Sequence, residues 1–264
     1  MLKNIAIGQY YNTVSPIHAL DPRIKVILTA AFITMVFFVR NYWGYGVLFL
    51  FTCFLCTLSN VPPRILLRTL RPMLYILVFT FILNLLFMQG ETVIFSWWII
   101  RITAEGLNQA VFLALRLLFL VAGASFLTLT TSPIELTDAL ERLMKPLTVF
   151  RFPAHELAMM MSIALRFIPT LLDEADKIMK AQASRGADFE SGSLMQRAKN
   201  MLPLLVPLFI SAFRRADELA LAMESRCYRG GTGRTRMKIL KLGMRDAMAT
   251  AFIAVLFTGI ILWG

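Results

Sequence analysis

Long apolar runs separated by short polar segments dominate this sequence and limit what it can fold into. Of its 264 residues, 58% are hydrophobic, whereas soluble domains contain about 45–50% apolar residues. A helix needs about 20 consecutive apolar residues to cross the hydrocarbon core of a bilayer. Five runs approach that length, at residues 24–39, 44–58, 72–88, 107–129 and 247–263. The sequence therefore predicts an all-α polytopic membrane protein with about five transmembrane helices.

The region between the fourth and fifth apolar runs has a different composition. From residue 134 to residue 246, charged residues recur every few positions and the apolar residues follow the period of amphipathic helices. This predicts three parts: a membrane domain at residues 1–133, an amphipathic helical domain at 134–246, and a final transmembrane helix at 247–264. We expect the middle part to lie outside the hydrocarbon.

The lysine and arginine residues predict the orientation of the chain, because cytoplasmic loops carry an excess of both. The first 25 residues contain three, a predicted basic loop at 61–71 contains three, and residues 134–246 contain eighteen. The loops on the opposite side contain one each, Arg40 and Arg101. We expect a cell-membrane protein with a cytoplasmic N-terminus, a cytoplasmic middle domain and an outside C-terminus. This topology accounts for the net charge of +11, so no nucleic-acid partner is predicted.

Residues 153–183 and 194–224 predict two long amphipathic helices. Each carries a heptad-like apolar stripe, and such a stripe favours contact with a partner helix. Methionine is frequent in this region, which suits a surface that accepts several partners, although ordinary core packing explains it equally well. The stripe residues expected at a partner-subunit surface are Leu157, Met161, Ala164, Ile168, Met201, Leu205 and Leu208.

Both predicted helices end in the same short motif. The first ends in Ser184-Arg185-Gly186 and the second in Ser225-Arg226-Cys227. A glycine cap with an arginine at the negative end of the helix dipole explains one such motif in purely structural terms. Recurrence after 41 residues, on a second helix of similar length, favours a further role. An arginine at a helix tip can bind a carboxylate on another protein through two charge-assisted hydrogen bonds, so we predict two docking sites.

Three segments around these motifs make the chain similar to a known family. Residues 181–189 (Ala-Gln-Ala-Ser-Arg-Gly-Ala-Asp-Phe), 165–170 (Leu-Arg-Phe-Ile-Pro-Thr) and 222–230 (Ala-Met-Glu-Ser-Arg-Cys-Tyr-Arg-Gly) closely resemble the transmembrane T component of energy-coupling factor transporters, the EcfT/CbiQ family. Residues 7–23 are also similar, so the resemblance spans nearly the whole chain. Cys227 departs from the glycine of the family motif, which leaves the cap geometry of the second tip open.

The resemblance implies a non-catalytic subunit of an ABC-type importer for vitamins or metal ions. Each arginine motif would sit in a groove on one of two cytoplasmic ATPases, and those ATPases, not this chain, would bind ATP and Mg²⁺. Residues 134–246 would form a coupling domain that transmits their motion to one or more separate substrate-binding membrane subunits, the S components.

An enzyme is not predicted. Residues 230–235 are glycine-rich but lack the Gly-Lys-Ser/Thr end of a phosphate-binding loop. His18 and His155 have no metal-ligand partners in sequence, and Cys53 and Cys56 lie in an apolar run without a second ligand pair. We therefore expect no catalytic residue, metal site or bound cofactor.

A conventional ABC importer permease with its own substrate pathway is the alternative. Such a permease normally presents one coupling segment per subunit, whereas this chain has two candidate tips. Inside the predicted spans, Asn84 and Arg116 are the notable polar residues. Intramembrane charge marks a candidate pathway, but a bridge between helices is at least as good an explanation of Arg116.

Overall fold

The computed structural model describes residues 10–88, 92–97, 100–189, 191, 193–230 and 242–263. Helices form most of this part of the chain, which confirms the predicted all-α class. In chain order the helices are α1 (Pro22–Phe38), α2 (Tyr42–Ser59), α3 (Pro63–Phe87), α4 (Ala104–Thr130), α5 (Pro133–Met144), α6 (Ala154–Ser184), α7 (Leu194–Ser225) and α8 (Met244–Trp263). A 3-10 helix at Lys145–Phe150 precedes α6. The glycine-rich segment at 230–235 lies, apart from Gly230, outside the described residues.

A short β-hairpin lies in the predicted loop before α4. Strands β1 (Val93–Trp97) and β2 (Ile100–Thr103) pair antiparallel, with Val93 opposite Thr103 and Trp97 opposite Ile100. The sequence predicted only a connecting loop here. Strands of five and four residues are too short to be distinguished from a loop by periodicity.

The described residues fall into two compact units. The bundle unit comprises residues 10–139 and 242–263, and the paired-helix unit comprises residues 140–230. In the bundle unit, α1 packs against α4 and α8, and α3 packs against α4. In the paired-helix unit, α6 packs against α7.

The core of the bundle unit is formed by large apolar side chains of α1, α2, α4 and α8. Met35 and Val36 of α1 and Leu48 of α2 are fully buried. They belong to one cluster, whose buried members are Phe32, Met35, Val36, Val39, Tyr45, Leu48, Phe51, Phe119 and Ile260. Removing each such side chain from water stabilises the folded state by about 1.5–3 kcal/mol. In a bilayer, van der Waals packing between helices supplies much of the stabilisation instead.

A polar junction fixes the start of α1 to the start of α8. The Asp21 carboxylate caps α1 by accepting a hydrogen bond from the Arg23 backbone N–H (2.9 Å). The Asp21 N–H in turn donates to Asp246 Oδ1 (2.9 Å), and both aspartates are buried. Lys25 Nζ donates to the carbonyls of His18 (3.1 Å) and Thr130 (2.9 Å). Two of these bonds, from Asp21 to Asp246 and from Lys25 to Thr130, join segments that are more than 100 residues apart.

By length and composition, five helices of the described chain could cross a membrane: α2, α3, α4, α6 and α8. The predicted number is therefore matched, but the set differs in one member. Helix α1, a predicted span, has 17 residues and covers about 25 Å, at the lower limit for a crossing. Helix α6, which we predicted outside the hydrocarbon, is apolar enough over its first half. The charges of α6 cluster late, in Asp173, Glu174, Asp176, Lys177 and Lys180.

The predicted basic loop at 61–71 is wrong, because these residues begin a helix. Pro62 is the N-cap of α3 and Pro63 its first residue, and α3 continues through Pro72. Proline is well tolerated in the first helical turn, where its missing N–H would have no intrahelical partner. Arg64, Arg68 and Arg71 therefore lie on the first turns of α3.

Candidate docking site

The end of α6 forms a complete Schellman cap around the first arginine motif. Ser184 is the last helical residue, Arg185 is the C-cap, and Gly186 adopts the left-handed conformation with φ +89°. The Gly186 N–H donates to the Ala183 carbonyl (3.0 Å), and the Ala187 N–H donates to the Gln182 carbonyl (3.0 Å). These two bonds define the motif and satisfy carbonyls that the helix end leaves free.

The end of α7 repeats this cap around the second arginine motif, although glycine is absent. Arg226 is the C-cap and Cys227 takes the left-handed position with φ +55°. The Cys227 N–H donates to the Glu224 carbonyl (2.9 Å), and the Tyr228 N–H donates to the Met223 carbonyl (3.0 Å). The cap geometry that the sequence left open is therefore the same at both tips. A non-glycine residue in this conformation costs about 1–2 kcal/mol.

Both arginines are presented to solvent in matching positions. The C-cap backbone angles are φ −90°, ψ 8° at Arg185 and φ −92°, ψ 13° at Arg226. Both side chains are exposed, and neither forms an ion pair with another described residue. The hydroxyl groups of Ser184 and Ser225 donate to carbonyls of their own helices, at Lys180 and Ala222, 3.0 Å in each case. The serine hydroxyl groups therefore support the helix ends, and among the described residues no ion-pair partner occupies either guanidinium group.

Helices α6 and α7 pack antiparallel, which places the two tips at opposite ends of the pair. Arg215 Nη2 donates to Glu174 Oε2 (3.0 Å), ten residues before the last residue of each helix. At the other end, His155 at the start of α6 lies beside Tyr228, just after the end of α7. Residue numbers thus rise along one helix as they fall along the other. At about 1.5 Å per residue, each tip lies about 15 Å from the Glu174–Arg215 contact.

A cavity of about 280 Å³ lies between α6 and α7. Its lining from α6 consists of large apolar residues, and its lining from α7 includes three alanines. The residues are Ile163, Phe167, Leu171, Ala212, Arg215, Ala216, Leu219, Ala220 and Met223. This cavity lies next to Arg215, the basic partner in the single described ion pair between α6 and α7.

The second tip has a side-chain anchor. Tyr228 Oη lies 3.3 Å from His155 Nε2, and His155 Nδ1 lies 2.9 Å from Glu141 Oε1. This chain of contacts connects the residue after the cap to the start of α6 and to α5. It joins positions 73 residues apart, so sequence spacing gave no signal for it.

The first tip has alanine at the equivalent position and is held differently. Ala187 has no polar side-chain atom, and the next residue, Asp188, makes the contacts instead. The Asp188 carbonyl accepts a hydrogen bond from Asn200 Nδ2 (2.5 Å), and its carboxylate accepts one from the Ser191 N–H (3.0 Å). The first tip is therefore held through the backbone of the connection to α7.

None of the seven residues predicted for a partner-subunit surface lines the cavity between α6 and α7. Met161, Ala164, Met201 and Leu205 are exposed, whereas Leu157, Ile168 and Leu208 are half-buried. The exposed apolar surface of α7 is wider than the single heptad-like stripe that was predicted. Its additional members are Leu202, Val206, Phe209, Ile210 and Phe213. The spacing of four, three and four residues between positions 202, 206, 209 and 213 is that of one helix face, and it could have predicted this wider surface.

The two polar residues of the predicted spans have local partners. Asn84 Nδ2 donates to the Thr80 carbonyl of its own helix (2.9 Å). Arg116 Nη2 approaches the Val39 carbonyl at the end of α1 (3.5 Å), and its guanidinium carbon lies 5.8 Å from the centre of the Phe37 ring. A cation at a helix C-terminus interacts favourably with the helix dipole. These contacts support the bridging explanation of Arg116.

The sequence of the chain is similar to those of known transport proteins. Residues 13–239 match the CbiQ family, described as cobalt transport protein. A protein of Ruminiclostridium cellulolyticum is 54% identical over 262 residues, covering 99% of this chain and 98% of that protein. A protein of Bacillus subtilis strain 168 is 46% identical over 256 residues, covering 97% of each chain. Both relatives carry the name energy-coupling factor transporter transmembrane protein EcfT.

These matches cover both arginine motifs and most of the described helices, so the resemblance noted from the sequence is confirmed. The chain belongs to the CbiQ/EcfT family of energy-coupling factor transporter transmembrane proteins.

Proposed function

We propose that this chain is the scaffold and coupling subunit of an energy-coupling factor importer for a vitamin or another micronutrient. In this role it transmits the ATP-driven motion of two cytoplasmic ATPases to a separate substrate-binding S component. The observation that carries the proposal is the pair of equally capped arginine tips, Arg185 and Arg226, at opposite ends of one antiparallel helix pair.

Each tip suits insertion into an acidic groove of an ATPase. The Schellman cap ends the helix abruptly, and the guanidinium at the C-cap projects with its donors unused by described residues. A guanidinium binds a carboxylate through two parallel hydrogen bonds, which fixes direction as well as contact. When such a charge pair is desolvated, removing one partner weakens the binding free energy by about 2–5 kcal/mol.

The cavity between α6 and α7 supports transmission of motion. If the two ATPases approach each other on binding ATP, the tips move with them and the angle between the helices changes. The cavity of about 280 Å³ beside Leu171 and Ala216 leaves space for that change. The Glu174–Arg215 contact would act as the pivot.

The exposed apolar surface of α7 supports the second half of the coupling. Monomeric soluble proteins rarely expose contiguous apolar patches of this kind, which mark contacts with proteins or membranes. In our proposal Met201, Leu205 and the neighbouring Phe209 bind the S component, which alone determines the transported compound. Helix motion driven from the tips would then tilt or release that subunit.

The proposed topology places the paired-helix unit in the cytoplasm and the bundle unit in the cell membrane. The distribution of lysine and arginine supports this orientation, with a cytoplasmic N-terminus and an outside C-terminus. Helix α1 is retained as a span because its apolar side chains form part of the bundle core. ATP and Mg²⁺ would bind only to the partner ATPases. The conventional permease has less support, since one chain carries both tips.

Photo-crosslinking from the tips tests the proposal. A photo-reactive residue replaces Ser184 or Ser225 in the assembled complex in native membranes, and Tyr75, exposed on α3, serves as the control position. We expect crosslinks to an ATPase subunit from positions 184 and 225 and none from position 75. Absence of ATPase crosslinks from both tips would contradict the proposal.

A further inference from the structure

A second and larger cavity lies within the bundle unit. It has a volume of about 720 Å³ and is lined by α1, α2, α4, α8 and the segment that precedes α1. This volume is within the range of about 300–1,000 Å³ that is usual for ligand sites. It contains neither of the arginine tips.

Most of the cavity is lined by large apolar side chains. Leu28 and Phe32 of α1, Phe51 and Leu55 of α2, and Phe252 of α8 contribute to the wall. Such a wall suits a hydrocarbon chain, because each buried methylene contributes about 0.8 kcal/mol relative to water.

The hydroxyl groups of the lining already have partners. Thr29, Thr52 and Thr130 donate to carbonyls of their own helices at 2.7–2.8 Å. Ser15 Oγ lies 2.7 Å from His18 Nδ1. A polar nutrient needs well-placed hydrogen-bond donors and acceptors in its site, and the hydroxyl hydrogens of the three threonines are already used.

Two cations at one end of the cavity have donors left. Lys25 Nζ uses two of its three donors, on the carbonyls of His18 and Thr130. Arg245 is exposed and forms no ion pair with another described residue. The neighbouring carboxylate of Asp246 is engaged, because it accepts hydrogen bonds from the backbone N–H groups of Asp21 (2.9 Å) and Gly243 (2.8 Å).

The cations and the apolar wall are separated along the bundle. Lys25 lies near the start of α1, Arg245 near the start of α8 and Thr130 at the end of α4, whereas Phe32 and Phe252 lie deeper along their helices. In the proposed topology the cationic end faces the cytoplasmic leaflet. Basic pockets between transmembrane helices on that side bind anionic lipid headgroups.

We propose that this cavity binds one anionic phospholipid, with an acyl chain against the apolar wall and the phosphate at Arg245 and Lys25. This site is independent of the docking function of the tips. The bound lipid would fill the space between α1, α2 and α8 and stabilise the bundle.

Retention of defined lipids tests this proposal. The full chain is incorporated into nanodiscs with equal amounts of phosphatidylglycerol and phosphatidylcholine that carry the same acyl chains, and native mass spectrometry then counts the retained lipids. We expect preferential retention of phosphatidylglycerol. Arg245→Gln should lower that preference about fivefold, the contribution of one cation near a membrane surface. The matched change Arg68→Gln on α3 should leave it unchanged.

Filling the cavity tests the acyl-chain part separately. Ala249→Phe places a ring in the cavity and should abolish retention of the lipid, whereas Ala251→Phe, at an exposed position of the same helix, should not. If Ala249→Phe fails to fold, Thr52→Phe fills the same cavity from α2. Equal retention of both lipids by the unmodified chain would overturn the proposal. So would a cavity-filling variant that keeps the lipid but loses a co-purifying membrane subunit, because a protein helix would then occupy the site.

Discussion

The ends of α6 and α7 reach the same backbone geometry with different residues. At the first tip, glycine takes the left-handed position and alanine follows it; at the second, Cys227 and Tyr228 stand in those places. The cap hydrogen bonds match one for one, at positions 41 residues apart. What differs is the attachment of each tip to the rest of the paired-helix unit.

This difference separates two requirements of a docking tip. The direction of the arginine depends on the cap, so the cap geometry is the same at both ends. The rigidity of the tip depends on what holds the residues after the cap. Among the described hydrogen bonds, the second tip is held by the side chain of Tyr228 on His155, and the first by Asp188. We therefore expect two sites that bind by the same chemistry but differ in how firmly they are held.

The largest effect is expected from removal of the arginines themselves. Arg185→Ala and Arg226→Ala should each weaken binding of an ATPase by about 2–5 kcal/mol, because each removes one partner of an interfacial charge pair. Titration of each variant with purified ATPase subunits measures the loss. Similar losses of affinity at both tips would support the same kind of arginine–carboxylate contact at each. If a variant binds the ATPase as tightly as the unmodified chain, the arginine of that tip is not part of the docking site.

A smaller and one-sided effect is expected from Tyr228→Phe. The change removes the hydroxyl contact with His155 while keeping the ring, and a hydrogen bond of this kind contributes about 0.5–1.5 kcal/mol to stability. Crosslinking to an ATPase should decrease from position 225 and stay constant from position 184. His155→Phe should have the same one-sided effect. An equal decrease at both tips would show that Tyr228 acts on the helix pair as a whole.

A small effect on both tips is expected from Glu174→Gln. The ion pair with Arg215 is about one-third exposed on each side, and pairs of this kind contribute about 0.2–1 kcal/mol. Because it lies ten residues from each helix end, its loss should broaden the distance between spin labels at positions 184 and 225 without favouring either tip. An unchanged distance distribution would contradict its role as a pivot.

The smallest effect is expected from Cys227→Gly. Glycine adopts the left-handed conformation without strain, which should raise the free energy of unfolding by about 1–2 kcal/mol. The greater freedom of glycine in the unfolded chain offsets about 0.4–1 kcal/mol of this gain. The variant should therefore be as stable as the unmodified chain or slightly more stable in thermal unfolding, with ATPase binding unchanged. The reverse change Gly186→Val should weaken binding at the first tip, because a β-branched residue is strongly disfavoured at positive φ.

Much of the fold follows from local sequence patterns. The apolar runs predicted α2, α4 and α8, and the long amphipathic periods predicted α6 and α7, because hydropathy and helical period are properties of neighbouring residues. The start of α3 was mispredicted as part of a basic loop, although Pro62 and Pro63 suit the beginning of a helix.

The candidate site was predictable in its residues but not in its arrangement. The repeated Ser-Arg pair identified both tips, yet the left-handed Cys227 could not be foreseen, since cysteine rarely adopts that conformation. Contacts such as Tyr228 with His155 join distant positions through tertiary packing, which no local pattern encodes. The breadth of the exposed α7 surface likewise depends on which neighbours leave Phe209 and Phe213 uncovered.

The most direct test of the two-tip account is co-purification from native membranes. The Arg185→Ala, Arg226→Ala double variant is compared with an Arg68→Ala, Arg214→Ala double variant, which removes the same charge from two exposed arginines away from the tips. The account predicts that the unmodified chain and the control recover two ATPase subunits together with small membrane proteins, and that the tip variant recovers the membrane proteins without the ATPases. Recovery of both ATPases by the tip variant would contradict it.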